Sequence, residues 1–458
     1  MGKSGKEGVV GNNTDKNSVE ITDKNAKPGD VIVVTTDTQT LSGIYLQRPQ
    51  ILGDNILVLK LDTGYNIGID RKKIKSISVK TPYEKPTTRS KAHSYNPNLP
   101  TVAVLSFGGT ISSRVDYRTG GVVADYTADD FFAMMPELAM IANIKTAHHS
   151  NMMSEDMSPT NWEQIAQAIT PYLNDKSIAG VVVTQGTDTL HYSTSAMSFA
   201  LQQLNKPVIF TAAQRSIDRG SSDAFMNLIC AVHAAAKFDG AVVVSCMHES
   251  SSDDACLLIR GTRVRKMHTS RRDAFRPINE TALARIYPDG RLNIINQQYP
   301  RRATNTSING ANSQTPVVKA SFAQDVGLLY VHPGISPKIV EHYVQQKYRG
   351  LVVAASALGH VPQSLLGPLT VASKNGMTIV IATQTVYGRV HPYVYSRLRD
   401  QSMDAGMLFL EDTLLEVAFV KLSWVLAHTQ NKAAAIALMK EKLAGEFSDG
   451  TPYDGFLE

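Results

Sequence analysis

The sequence predicts an α/β protein: a two-lobed body of parallel sheets preceded by a small antiparallel β-barrel. Three observations carry this prediction. From Pro28 to about Thr81, short β-branched runs alternate with polar residues and turn signals. From Thr101 onward, longer apolar runs alternate with helical patterns, as repeated strand–helix units require. A stretch rich in Asn, Thr, Ser and Arg, 297–316, then separates two such series.

Taken in order, residues 1–27 hold almost no large apolar groups, and such a composition does not offset the entropy lost on ordering, so disorder is expected. Val31–Thr35, Leu41–Leu46, Ile56–Leu61, Asn66–Ile69 and Ile74–Val79 read as five strands, with turns at Gly53-Asp54-Asn55 and Asp62-Thr63-Gly64-Tyr65. They delimit a barrel domain, 28–82. It carries no interleaved aromatic and basic surface for stacking bases, so docking or spacing is the role it suggests. The proline-containing stretch 83–100 reads as a linker.

The first lobe, 101–296, opens with the buried strand Thr101–Phe107, ending in Gly108-Gly109-Thr110-Ile111. Two glycines let the backbone turn sharply and approach a ligand, and a hydroxyl follows at once. The spacing is not that of a dinucleotide fingerprint. A polar segment with Tyr117 comes next, then a helix capped at Thr127 with Asp130 in the capping-box position. Ser154-Glu155-Asp156-Met157 closes a strand before a helix opened by Ser158-Pro159. Val181–Thr184 then runs into Gln185-Gly186-Thr187-Asp188-Thr189 and a helical pattern, His191 to Leu204. Such a strand delivers polar side chains to the carboxyl edge of a sheet, although Thr or Asp there also serves as a plain helix cap. Further strands at Pro207–Thr211 and Ala241–Ser245 continue the parallel pattern. Arg260 to Arg276 holds seven Lys or Arg in seventeen residues. Nucleic-acid contact is one reading of that run and internal ion pairing or partner docking the other, and a mixed segment with its arginines structural or facing a partner is favoured. The second lobe, 317–458, shows strands at Val326–Val331, Gly350–Ala355 and Thr378–Ala382, and an apolar helix, Thr413 to His428, that belongs between lobes or subunits.

The net charge of +5 is mildly basic and establishes no nucleic-acid binding. Cys230, Cys246 and Cys256 lack metal or disulfide spacing. The histidines His148, His149, His191, His248, His360 and His391 show no zinc-protease spacing, and no metal is expected. A Gly-x-Ser-x-Gly elbow is missing, so a Ser-His-Asp triad is unsupported. No apolar run is long enough to span a membrane and the N-terminus lacks an apolar leader, which points to a cytoplasmic chain.

The segments Gly108-Gly109-Thr110-Ile111 and Gln185-Gly186-Thr187-Asp188-Thr189 resemble the two signatures of the type I L-asparaginase family. The likeness spans roughly 101 to 430. The N-terminal barrel, similar to an SH3-like domain, the run Arg265 to Phe275 and the tail Gly445 to Leu457 are similar to one branch of that family, the D subunits of archaeal glutamyl-tRNA(Gln) amidotransferases. The resemblance implies an amide hydrolase in which Thr110, Thr187, Asp188 and Lys266 are catalytic. Tyr117 corresponds to the lid tyrosine, while Ser154 and Glu155 hold the substrate's α-amino and α-carboxyl ends. Which threonine attacks first stays open. Amide hydrolysis by a hydroxyl needs a base, and a desolvated lysine has its pKa drawn toward the working range. The resemblance further implies a homodimer within a heterotetramer with the amidotransferase E subunit, and glutamine or asparagine as amide donor. This chain would use no cofactor; ATP, Mg and Glu-tRNA(Gln) would bind mainly to the partner in an ATP-dependent carbon–nitrogen ligase. A free-standing cytoplasmic L-asparaginase is the alternative.

Overall fold

The computed structural model describes residues 26–48, 52–83, 95–115, 122–124, 135–302 and 315–451. The expected disorder of 1–27 falls mostly outside them, as do Tyr117, the capped helix at Thr127 with Asp130, and the end of the tail at Phe456-Leu457.

The first unit is the predicted barrel. Strands β1 (Val31–Thr36), β2 (Thr40–Leu46), β3 (Ile56–Lys60), β4 (Asn66–Asp70) and β5 (Ile74–Thr81) form one antiparallel sheet in the order β4-β3-β2-β1-β5. β1 pairs with both β2 and β5, so the last strand returns to the first. Alternation turns Ile32 and Val34 inward, where Leu57, Leu59, Ile69, Ile74 and Ile77 complete a small core.

The body begins with β6 (Thr101–Gly108), every residue of which is buried. Then follow β7 (Asn143–Met152), helix α1 (Pro159–Asn174), β8 (Ile178–Thr184) and helix α2 (Leu190–Ala200). The first lobe continues through β9 (Val208–Thr211), α3 (Ala224–Lys237), β10 (Val243–His248), β11 (Cys256–Arg260), β12 (Val264–Lys266), β13 (Phe275–Pro277), β14 (Ala284–Ile286) and β15 (Leu292–Ile294). The main sheet runs β15-β14-β11-β10-β9-β8-β6-β7. Both faces of its centre are covered, which is why β6 and β8 read as continuous apolar runs.

The sheet is parallel from β7 to β10 and antiparallel beyond it. Parallelism alone was expected from the strand–helix alternation. The reason for the difference is connection length: the link from His248 to Cys256 is too short for a crossover helix, so β11 returns beside β10 as a hairpin.

The chain leaves β6 toward β7 on one side, and leaves β8 toward β9 on the other. The two exits diverge at the carboxyl ends of β6 and β8. That is the switch point at which open α/β sheets form a crevice.

The second lobe is a parallel sheet of β16 (Val326–Tyr330), β17 (Gly350–Ala355), β18 (Thr378–Thr383) and the short β19 (Leu408–Phe409). Helix α4 (Lys338–Gln345) and α5 (Gln363–Lys374) connect its first strands. Helix α6 (Leu415–His428) is buried over nearly its whole length, wedged between α2 of the first lobe and the strands of the second. Its expected place between lobes is thus observed, and α7 (Lys432–Lys440) packs outside it.

Candidate active site

The crevice is assembled by backbone contact before any side chain is considered. Gly108 and Gly109 have φ of +93° and +81°, which glycine adopts without strain. A Cβ on Gly109 would lie 2.2 Å from the nitrogen of Gly186, so the two Gly-Thr turns are packed main chain on main chain. A Cβ on Gly186 would in turn meet the Ser154 hydroxyl at 2.6 Å. Register contributes too: Ser106 of β6 lies beside Thr184, the last residue of β8, which brings the two Gly-Thr turns to the same edge of the sheet. Thr110 starts a 3-10 turn, Thr110–Ser112, and is half-buried.

Three polar groups converge at the end of β8. The Lys266 ammonium, only 10% exposed, donates to the Thr187 hydroxyl at 2.8 Å and to Asp188 Oδ1 at 2.6 Å. Thr187 also donates to Asp188 at 3.3 Å. The Lys266 hydrogen bond is the main reason why the Asp188 carboxyl is held below its ordinary pKa. Lys266 reaches the site from β12, whose ribbon with β13 aligns it opposite Phe275.

Ser154 is buried beneath this loop: its hydroxyl accepts from the Asp188 amide at 3.1 Å, and its carbonyl from the Thr189 hydroxyl at 2.6 Å. Thr189 occupies the cap position of α2 without bonding the helix through its side chain. Simple capping therefore does not explain the Thr-Asp-Thr run, since its hydroxyls and carboxylate turn to Ser154 and Lys266. Glu155 is exposed on the same short turn, Ser154–Asp156. Thr110, Ser154, Glu155, Thr187 and Asp188 thus lie on turns at this crevice, Lys266 reaches it from β12, and Tyr117 is outside the described residues.

The basic run resolves into ion pairs. Arg260 pairs with Glu280, Arg263 with Asp412, Arg265 with Glu416, Lys266 with Asp188, Arg272 with Asp253, and both Arg271 and Arg276 with Asp273. Each of the seven cations thus has a carboxylate partner within the chain.

Beside Lys266 opens a cleft of about 590 Å³, lined among others by Asp188, His191, Tyr192, Arg265 and Glu416. Burial pushes the His191 imidazole down to about 3, the Tyr192 phenol up to about 12, and the Glu416 carboxyl above its ordinary range. Sequence reasoning did not single out Glu416. The available signal was one carboxylate in the otherwise apolar run Leu414 to Val420, where a buried charge requires a partner. Among the described residues, no group of three or more His, Cys, Asp or Glu side chains is arranged to hold a metal. None of the described helices is long and apolar enough to cross a membrane.

Comparison with known proteins places the whole chain. Residues 101–300 match the family model "Asparaginase, N-terminal", residues 325–439 the "Glutaminase/Asparaginase C-terminal domain", and residues 26–79 the "GatD N-terminal domain". Among solved structures, the thermostable L-asparaginase from Thermococcus kodakarensis superposes with a TM-score of 0.66 at 26% identity, covering 76% of this chain and 100% of that one. L-asparaginase I from Vibrio cholerae does so with the same score and identity, over 76% and 99%. The D subunit of glutamyl-tRNA(Gln) amidotransferase from Pyrococcus abyssi is 39% identical over 444 residues, 95% of this chain and 98% of the relative. Its counterpart from Methanothermobacter thermautotrophicus is 39% identical over 427 residues, 92% and 94%. With identity at this level along nearly its whole length, and with an N-terminal domain match that lies beyond the asparaginase models, the chain belongs to the family of glutamyl-tRNA(Gln) amidotransferase D subunits, within the asparaginase fold.

Proposed function

We propose that this chain is the amide-hydrolysing subunit of a tRNA-dependent amidotransferase, releasing ammonia for the conversion of Glu-tRNA(Gln) to Gln-tRNA(Gln). The observation that carries the reading is the Lys266 ammonium within hydrogen-bond reach of both Thr187 and Asp188 at the crevice where Gly109 packs on Gly186. Amide hydrolysis needs a hydroxyl nucleophile, a base for its proton, and donors for the oxyanion. Thr110 and Thr187 supply hydroxyls, and Lys266 in its neutral form takes the proton of Thr187 directly, or that of Thr110 through the Thr187 hydroxyl. The oxygen adds to the carboxamide carbon while the amide N–H groups after Gly109 and Gly186 stabilise the oxyanion, by about 3 kcal/mol for such a donor. Collapse breaks the carbon–nitrogen bond, and the proton returned by Lys266 leaves with ammonia. Water then cleaves the acyl-threonine to the free acid. Asp188 orients Lys266, and Ser154, Glu155 and Tyr117 hold and cover the amino-acid end of glutamine or asparagine.

The barrel favours the amidotransferase over a free-standing asparaginase, because residues 26–79 match a domain named for GatD, the D subunit. In this reading the chain forms a homodimer within a heterotetramer with the E subunit, in the cytoplasm. ATP and Mg serve that partner, which phosphorylates the glutamyl group and receives the ammonia. The test is ammonia release from glutamine with and without the E subunit and Glu-tRNA(Gln). Strong stimulation by the two together supports coupling; equal turnover in both conditions contradicts it.

A further inference from the structure

We propose that Glu416 is a positioning residue for the Lys266–Asp188 pair, holding from the interlobe helix the strand that carries the lysine and packing against the helix that follows the aspartate. The inference rests on the preceding reading, in which Lys266 moves the proton of the attacking hydroxyl. Glu416 lies in the first turn of α6, and its side chain is 6% exposed. Its Oε1 pairs with Arg265 Nε at 3.0 Å, and Arg265 is the immediate neighbour of Lys266 on β12. The same oxygen lies 3.7 Å from Nε2 of His191, in the first turn of the helix that Asp188 precedes. One carboxylate oxygen therefore faces the strand that delivers the lysine and the helix that follows the aspartate. The backbone of β12 is tied on its other side within the first lobe, where Lys266 aligns with Phe275 and the Met267 amide donates to the Ala274 carbonyl at 2.6 Å. The Arg265 side chain ties the strand itself to the second lobe, next to the Arg263–Asp412 pair that precedes it.

The surroundings are not those of a group kept for stability. Glu416 Oε2 and His191 Nδ1 are both buried without a hydrogen-bond partner. Packed apolar residues generally serve a lobe interface better than a buried ion pair that is incompletely bonded. Local inconsistency of this kind collects at functional sites. The charged and titratable groups facing Glu416 are Arg265 and Lys266 from β12, and His191, Tyr192 and Asp188 from around the start of α2; His268 lines the same cleft. Loss of the carboxylate releases Arg265 and lets β12 shift, which moves the Lys266 ammonium off Thr187 and Asp188. Small displacements of a proton-transfer group reduce turnover far more than substrate binding.

The experiment is steady-state ammonia release by the full chain in its native assembly, comparing wild type with Glu416→Gln, Arg265→Met, their double variant, Glu416→Asp and Lys266→Met. Glu416→Gln is expected to lower kcat by about 10- to 100-fold with KM within about threefold, in line with a misplaced catalytic group. Arg265→Met should give a comparable loss, the double variant no more than the worse single, and Glu416→Asp partial recovery. A Glu416→Gln enzyme that is folded and within about threefold of wild-type kcat overturns the proposal, as do losses that simply multiply in the double variant. Should Glu416→Gln fail to fold, Arg265→Met at its partly exposed position decides, and an unchanged kcat there overturns the proposal. Undiminished activity in Lys266→Met would instead sink the reading of the site, and is thereby told apart from failure at Glu416.

Discussion

At the scale of single residues, the site depends on absent as much as on present atoms. Gly109→Ala would place a methyl carbon 2.2 Å from the Gly186 nitrogen at a φ of +81°. It should destabilise the fold by at least about 1–3 kcal/mol and abolish ammonia release, measurable by urea unfolding and by assay of the folded fraction. His191 makes a second prediction. Its imidazole takes up a proton near pH 6.5 when unfolded and not until about 3 when buried. Between those values the unfolded state holds the extra proton, so His191's contribution is complete above pH 6.5 and is lost as pH falls. The slope approaches about 1.4 kcal/mol per pH unit. Urea midpoints at about pH 6.5 and 5 should therefore converge in His191→Gln relative to wild type. The Gly-Gly-Thr and Gly-Thr-Asp-Thr turns were legible in the sequence because glycine beside a hydroxyl at a strand end has few uses. Glu416 was not, since its partners Arg265 and His191 lie far from it along the chain.

At the scale of elements, α6 fastens the C-terminal segment of the second lobe around a second buried charge. Lys421 Nζ is paired with Glu446 at 2.5 Å, both side chains being about 1% exposed or less, and it also donates to the carbonyls of Met439 and Glu441. The tail is fastened further by Arg263, which donates to the Gly445 carbonyl at 3.0 Å. Glu446→Ala leaves the lysine uncompensated and should cost about 3–5 kcal/mol, read from chemical denaturation, whereas replacing the pair with apolar residues of similar volume should recover much of it. The five barrel strands and the switch-point strands were readable from periodicity. The antiparallel edge β11-β14-β15 was not, because strand pairing depends on how far a connection reaches as well as on strand character. The arginine run likewise concealed its purpose. Its carboxylate partners include Asp253, Glu280, Asp412 and Glu416, which only the fold brings beside it.

At the scale of the whole molecule, a barrel with its own apolar core and a two-lobed body are joined in one chain. The candidate site lies at one crevice of the first lobe, and the second lobe reaches that crevice through α6. Family membership extends over both units, while the proton-transfer roles stand on the geometry around Lys266 and on the resemblance. The most direct test of the central claim is therefore ammonia release from glutamine and from asparagine by wild type, Thr110→Ala and Lys266→Met, each confirmed as folded. Both substitutions are expected to lower turnover by about 10²- to 10⁴-fold, the range for loss of a nucleophile's activation or a general base. A folded Lys266→Met chain that still releases ammonia at the wild-type rate would contradict the account.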